Sequence, residues 1–352
     1  MLLVLGLAGL IWWGGRLMGM ASVVRLSLLA VLFGMVILIQ LTLPDGHGLR
    51  AATGGSAALW LMLGGAGALA AAYGRVIAGL KARAQPQETP KAQKPGTFNE
   101  TELNRYARHI VLRELGGPGQ KKLKKARVLV IGAGGLGAPA LQYLAAAGVG
   151  TIGVIDDDTV ENANLQRQVI HRDQDIGTPK VFSAQAAMEA QNPYVKVRPY
   201  HRRLDEGIAT ELFADYDLIL DGTDNFESRY LTNRTAAALG KPLISGALSQ
   251  WEGQISVFDP SNGAPCYQCI FPEAPAEGLA PSCSEAGVIG PLPGVIGSMM
   301  AVEAVKLITG AGAPLRGEML IYDALYGESR KIRLAPREDC PVCGTKEQKT
   351  GE

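Results

Sequence analysis

Arg127-Val-Leu-Val-Ile131 runs straight into Gly132-Ala-Gly-Gly-Leu-Gly137, and the reading of this stretch decides the fold. The first five residues are a short, continuous, β-branched run, the pattern of a buried strand. A helical pattern follows over Ala138–Ala147, and a second apolar run, Thr151–Ile155, ends in Asp156-Asp157-Asp158. Strand, glycine turn, helix, strand and terminal acid make a βαβ unit. Gly132, Gly134, Gly135 and Gly137 let backbone N–H groups approach phosphate at a helix N-terminus, where the helix dipole favours negative charge. Asp156 is the first candidate to hydrogen-bond ribose hydroxyls. The pattern serves NAD and ATP alike, a dehydrogenase is its default reading, and such glycines can be purely structural.

The next residues move the reading away from that default. Asn162-Ala-Asn164-Leu165-Gln166-Arg167-Gln168 follows the acids, and Gly177-Thr-Pro179-Lys180 comes soon after. Pro179 suits the first turn of a helix and so places Lys180 near a helix start. Two cations and a hydrogen-bonding Asn after a phosphate loop suit a nucleoside triphosphate, whose charge must be balanced during transfer. Another strand, Leu218-Ile-Leu220, ends in Asp221-Gly-Thr-Asp224-Asn225. A carboxylate at a strand's C-terminal end points into the ligand crevice of an open α/β sheet, where it would hold Mg²⁺ beside ATP. The alternative for such an acid is turn capping.

Composition divides the chain. Residues 1–84 carry seven charged side chains, six basic and one acidic, which leaves 28 basic and 32 acidic in the remainder. The remainder thus nets −4, which argues against nucleic acid as the main partner. Leu26–Pro44 and Ala51–Gly74 hold no charge over 19 and 24 residues, the length and apolarity of spanning helices. Met1–Gly15 is a third, shorter apolar run, read as a further span or a segment in the headgroups, with Trp12 and Trp13 at the interface. No basic region precedes it, which argues against a signal peptide. Gly64, Gly67, Ala68 and Ala71 would let helices pack closely. Arg75, Lys81 and Arg83 follow the last span, so the positive-inside rule places the large domain in the cytoplasm, anchored to the inner membrane. The expected organisation is a membrane segment over 1–84, a Pro- and Gln-rich linker over 85–99, one catalytic domain over 100–346 and a tail over 347–352.

The motifs carry a resemblance. RYARHI (105–110), VIGAGGLGAPALQYLAAAGVG (130–150), NLQRQVIH (164–171), GTPK (177–180), DGTDN (221–225), EGQISVF (252–258), CYQC (266–269), SEAGVIGPLPGVIGSMMAVEAVKLI (284–308) and CPVC (340–343) follow one another. Residues 101–345 therefore resemble the HesA/MoeB/ThiF family, the ubiquitin-activating-enzyme-like proteins that activate ubiquitin-like sulfur carriers. The resemblance implies a Rossmann-like, three-layer αβα domain behind the all-α membrane segment. Gly135 would lie against the phosphates and Asp156 would bind the ribose. Asn164, Leu165, Gln166, Arg167 and Lys180 would contact the triphosphate, and Asp224, with Asn225 beside it, would position Mg²⁺. Arg108 would reach the ATP of a partner subunit across a homodimer. Asp157 departs from the family, where an aromatic or apolar residue is common.

Cys266-Tyr-Gln-Cys269 and Cys340-Pro-Val-Cys343 are two Cys-x-x-Cys pairs 70 residues apart. Four thiolates match a tetrahedral structural zinc site, while local redox pairs and incidental core thiols are the alternatives. A cytoplasmic domain disfavours stable disulfides, and the resemblance implies zinc. Cys283 is the odd thiol; relatives carry a cysteine here that in some forms covalent sulfur links, and adenylation itself does not need it. Val295–Leu307 reads as a core helix, and the strands at 252–258 and Ile321–Leu325 extend the sheet. The function expected from the resemblance is adenylation of the C-terminal glycine of a sulfur carrier, the molybdopterin synthase small subunit or its thiamine-pathway counterpart. An NAD-dependent oxidoreductase would leave Arg108, Arg167, Lys180 and Asp224 without a role, and a non-catalytic membrane scaffold would leave the ATP and Mg²⁺ candidates without one. With no sulfurtransferase domain after Cys343, sulfur is expected from a separate protein.

Overall fold

A computed structural model describes residues 2–84, 98–275 and 286–344 of the chain. The chain divides into two units, Met1–Ala92 and Gln93–Glu352. The first contains α1 (Leu2–Gly9), a π-helical turn over Leu10–Gly14, α2 (Gly15–Leu17), α3 (Ser22–Thr42), α4 (Gly48–Ala52) and α5 (Ala57–Ala84). Ser22–Thr42 and Ala57–Ile77 are each 21 residues long and apolar enough to cross a membrane; at helical rise each spans about 30 Å. The second apolar run does not form one helix from Ala51. Ala51 and Ala52 close α4, and a turn with left-handed Gly54 and Gly55 (φ +117° and +72°) precedes α5. Gly64 receives the Phe33 ring, since a Cβ there would lie 2.4 Å from it, whereas nothing approaches Gly67. Gln40 Nε2 donates to Thr53 Oγ1 at 2.7 Å and Trp60 Nε1 to the Thr53 carbonyl at 2.9 Å, which fixes the α3–α5 connection.

In the second unit α6 (Glu100–Arg105) begins with a capping box between Asn99 and Glu102. Two more helices follow, α7 (Ala107–Ile110) and α8 (Gly116–Lys125). The chain then alternates: β1 (Arg127–Ile131), α9 (Gly137–Ala147), β2 (Thr151–Ile155), α10 (Lys180–Gln191), β3 (Lys196–Tyr200), α11 (Glu206–Ala214), β4 (Leu218–Asp221), α12 (Phe226–Ala238), β5 (Leu243–Leu248). It closes with β6 (Glu252–Phe258), α13 (Tyr267–Ile270), α14 (Pro291–Thr309), β7 (Glu318–Asp323) and β8 (Glu328–Arg333). The eight strands form one sheet in the order β3-β2-β1-β4-β5-β6-β7-β8. The first five are parallel and the last three pair antiparallel.

Strand period two sends alternate residues of β1 into two cores. Val128 and Val130 join Leu141, Leu144, Met188, Ile296 and Met300 on one face, while Leu129 and Ile131 join Phe213, Tyr216 and Leu231 on the other. A sheet covered by helices on both faces explains the unbroken apolar reading of its strands. Pro291–Thr309 is also long and apolar enough to cross a membrane, but it buries Leu292, Ile296, Met300 and Ala304 in the first core and is a core helix. Its helix is longer at both ends than the Val295–Leu307 expected. The strand expected over Ile321–Leu325 runs over Glu318–Asp323 instead, because Leu325 N and Tyr326 N bond back to Asp323 Oδ1 and turn the chain.

Candidate active site

In this strand order β1 lies between β2 and β4, which makes the β1–β4 boundary a topological switch point. A cavity of about 560 Å³ opens there at the carboxyl ends of the strands. Gly132, Gly134, Gly135, Asp156, Arg167, Lys180, Asp224 and Asn225 line it, so the greater part of the site expected from sequence comes together. Gly137, Asn164, Leu165, Gln166 and Arg108 do not line it. The chain also supplies Gln168, Arg202, Arg203, Arg229 and Tyr267, which the sequence reading did not assign.

The glycines of the first loop do different work. Gly132 has φ +92°, and a Cβ on Gly137 would lie 1.9 Å from the Gly132 carbonyl oxygen, so that close approach admits only hydrogen. At Gly134 the nearest atom to a Cβ is Gln168 Nε2 at 3.6 Å, while Gly135 abuts Pro293 at 3.1 Å. The loop is braced from behind at Ala133. Its N–H donates to Asp156 Oδ2 at 2.7 Å, and its carbonyl lies 3.0 Å from His171 Nε2. His171 Nδ1 pairs with Ser183 Oγ at 2.9 Å. Asp156 Oδ1 accepts from Asp158 N at 2.8 Å. Burial raises the Asp156 pKa above its ordinary value, against the pull of Lys180 and of the two backbone donors. Burial likewise lowers that of His171.

Lys180 is the first residue of α10, with Pro179 at the N-cap. Its ammonium is held 2.6 Å from Asp158 Oδ2, with 5% of the side chain exposed. Arg167 Nη2 donates to Asn164 Oδ1 at 2.8 Å, so Asn164 orients the guanidinium. Leu165 and Gln166 lie on the same connection; Gly290 packs against the Gln166 carbonyl.

The two acids at the end of β4 separate cleanly. Asp221 is buried and accepts from Thr223 N (3.0 Å), Thr223 Oγ1 (2.6 Å) and Ser245 Oγ (3.1 Å). Asp224 is exposed in the cavity and its carboxylate makes no hydrogen bond or ion pair with the described residues. Asn225 is the N-cap of α12, its Oδ1 accepting from Ser228 N at 2.9 Å. Buried Arg229 holds this turn in place. It donates to Ser245 Oγ (3.1 Å), to the Gly246 carbonyl (2.8 Å) and to the Thr223 carbonyl, and faces Asp221 Oδ2 at 3.5 Å. Arg202 and Arg203 also line the cavity, paired with Asp205 (3.0 Å) and Glu227 (2.7 Å). Arg108 lies on α7, exposed.

The two Cys-x-x-Cys pairs meet outside the cavity lining, to which Tyr267 between Cys266 and Cys269 belongs. The sulfurs of Cys266, Cys269, Cys340 and Cys343 lie within 4.8 Å of one another. Cys266–Cys340 is 3.5 Å, Cys269–Cys343 3.3 Å and Cys266–Cys269 3.9 Å. A tetrahedral zinc with bonds near 2.3 Å needs sulfurs about 3.8 Å apart. Asn233 Nδ2 and Arg337 N donate to the sulfurs of Cys266 and Cys269 at 3.7 and 3.4 Å. Burial raises the pKa of Cys340, but the N–H groups of Cys343 and Val342 outweigh it and bring the thiol down to about 7. These donors favour the thiolate, the form that binds metal, against burial, which holds the Cys266 thiol well above its ordinary value and the Cys343 thiol at about 11. Gly344 closes the turn where a Cβ would lie 2.4 Å from the Glu338 carbonyl oxygen. Cys283 lies outside the described residues.

Residues 106–342 match the model of the ThiF family. The chain is 49% identical over 251 residues to the sulfur carrier protein adenylyltransferase of Thermus thermophilus, covering 70% of this chain and 93% of that protein. It is 48% identical over 248 residues to the SAMP-activating enzyme E1 of Haloferax volcanii, covering 70% and 91%. Among solved structures, E. coli MccB with ATP superposes with a TM-score of 0.58 at 23% identity, covering 71% of this chain and 77% of that one. That likeness concerns the fold.

Proposed function

Because the chain belongs to the ThiF family, we propose that its larger unit is a nucleotidyltransferase that adenylates the C-terminal carboxylate of a ubiquitin-like sulfur carrier. A carboxylate oxygen of the carrier attacks the α-phosphorus of ATP, the bond from that phosphorus to the bridging β-phosphate oxygen breaks, and pyrophosphate leaves. No proton moves, so no general base is required. The difficulty is electrostatic and positional, because an anion must approach a tetra-anionic nucleotide.

The observation that carries this reading is the composition of the cavity. A glycine loop at the start of α9 faces Arg167, Lys180 and an uncommitted Asp224 across one crevice. The loop N–H groups bind phosphate, Arg167 and Lys180 offset charge on the triphosphate, and Asp156 offers its remaining lone pairs to the ribose. Asp224 would hold Mg²⁺, which supplies charge neutralisation between phosphates. Hydride transfer to NAD has no use for this set. Arg108, on an exposed helix, would reach the nucleotide of a second copy in a homodimer. The cysteine quartet would hold zinc with no open position, a structural clip between α13 and the C-terminal segment. α3 and α5 would anchor the chain in the inner membrane with the larger unit in the cytoplasm.

The test is ATP–pyrophosphate exchange with the molybdopterin-pathway and thiamine-pathway carriers offered separately. Exchange that requires one carrier's terminal glycine supports the reading and identifies the substrate. Carrier binding by folded protein without exchange would convert it to a scaffold.

A further inference from the structure

A second cavity, of about 310 Å³, lies at the opposite end of the sheet. Ala126, Leu218 and Pro242 border it where β1, β4 and β5 begin, whereas the nucleotide cavity lies where β1, β2 and β4 end. Its walls are of two kinds. Leu218, Leu307, Ile308 and Pro242 are apolar, and Lys122 and Lys125 of α8 are cationic. Its one acid, Asp217, is already engaged, accepting from Arg127 N at 2.8 Å and facing the Arg127 guanidinium at 3.5 Å. Lys122 spends one donor on the Thr309 carbonyl at 2.8 Å and keeps two. Lys121 and Lys125 are exposed and make no hydrogen bond or ion pair with the described residues.

We propose that this cavity and the lysine face of α8 dock on an anionic phospholipid headgroup, turning the amino ends of the strands toward a membrane and the nucleotide cavity away from it. The inference rests on the reading of α3 and α5 as membrane spans. Residues 85–352 net −4, so this face attracts a polyanion locally and against the charge of its unit. Apolar walls beside two ammonium groups suit phosphate joined to acyl chain better than nucleic acid, which offers no apolar partner at its backbone. α8 also follows soon after the segment that joins the two units. That keeps the effective concentration of lipid surface at the lysines high.

The test is hydrogen–deuterium exchange over residues 116–127 of the full chain. It is carried out in vesicles of neutral phospholipid and in vesicles containing phosphatidylglycerol, with protease accessibility of residues 22–77 measured in the same samples. Protection of α8 in anionic vesicles only, weakened by salt, is the expected result. Each lysine contributes about a fivefold factor to partitioning onto an anionic surface. Lys121→Gln/Lys125→Gln is therefore expected to reduce the protection by about 25-fold and to leave pyrophosphate exchange in neutral vesicles unchanged. A second variant, Lys122→Gln, removes the other ammonium of the cavity wall and is expected to reduce the protection by a further factor of about five; unchanged protection in both variants would overturn the proposal. Equal exchange rates in the two vesicle types would overturn the proposal. So would protection by inorganic phosphate or by duplex DNA in neutral vesicles, which would assign the cavity to free phosphate or to nucleic acid. If residues 22–77 prove open to protease, the spanning reading fails on its own, and protection by anionic vesicles would still establish peripheral docking.

Discussion

Two glycines three residues apart separate folding from binding at the scale of single side chains. Gly137→Ala drives a methyl group into the Gly132 carbonyl oxygen. It is expected to cost about 2–3 kcal/mol in chemical denaturation. Gly134→Ala meets nothing closer than 3.6 Å and lines the cavity, so its stability should stay near wild type while its KM for ATP rises. Asp224 and Asp221 make a similar pair. Asp224→Ala removes a carboxylate with no structural partner and should lower exchange by about a hundredfold or more without shifting the melting temperature. His171 gives a pH dependence. Burial holds its folded-state pKa below the ordinary value, so the unfolded chain takes up the proton first as pH falls. The stability it contributes is complete above about pH 6.5 and is lost as pH drops through and below that value. Melting temperatures measured from pH 7.5 down to pH 5.5 should fall more steeply for wild type than for His171→Gln.

The β4–α12 turn and the cysteine clip show where local pattern is enough and where it is not. The glycine loop was legible because a β-branched strand, a glycine run and a helix signal sit side by side, and the end of β4 was legible as an acid at a strand terminus. Arg229 was not. A single arginine in a helix reads as solvated surface, and only the fold shows it buried against Ser245, Gly246 and Thr223 from β5 and the turn. Arg229→Met would strip Asp221 of its cation and release the turn that presents Asp224, at a cost of about 3 kcal/mol. Exchange activity should fall with it, although Arg229 need touch no nucleotide. Spacing alone paired Cys266 with Cys269 and Cys340 with Cys343. That the pairs meet is a long-range fact, made by α13 and the turn closed at Gly344. Metal analysis should find about one zinc per chain, and a chelator or Cys340→Ser should lower the melting temperature. The last strands were placed less well, because β8 is exposed throughout and carries no apolar alternation, while the Asp323 turn that ends β7 has no strong sequence signal.

At the scale of the whole chain, an apolar helical unit precedes an adenylyltransferase-like unit that has two cores of its own. Ser22–Thr42 and Ala57–Ile77 are long and apolar enough to cross a membrane, and the sheet of the larger unit is complete within that unit. On the proposed spanning role of these helices the chain should remain with membranes after alkaline carbonate extraction. The central claim is carboxylate adenylation in the switch-point cavity, and pyrophosphate exchange tests it most directly. Full-length protein, Mg²⁺, ATP and labelled pyrophosphate are combined with a carrier bearing its terminal glycine or with one lacking it. Label should enter ATP only with the intact carrier, and Asp224→Ala should lower its rate by about a hundredfold or more. Exchange that persists without the terminal glycine, or that runs near the wild-type rate in Asp224→Ala, would contradict the account.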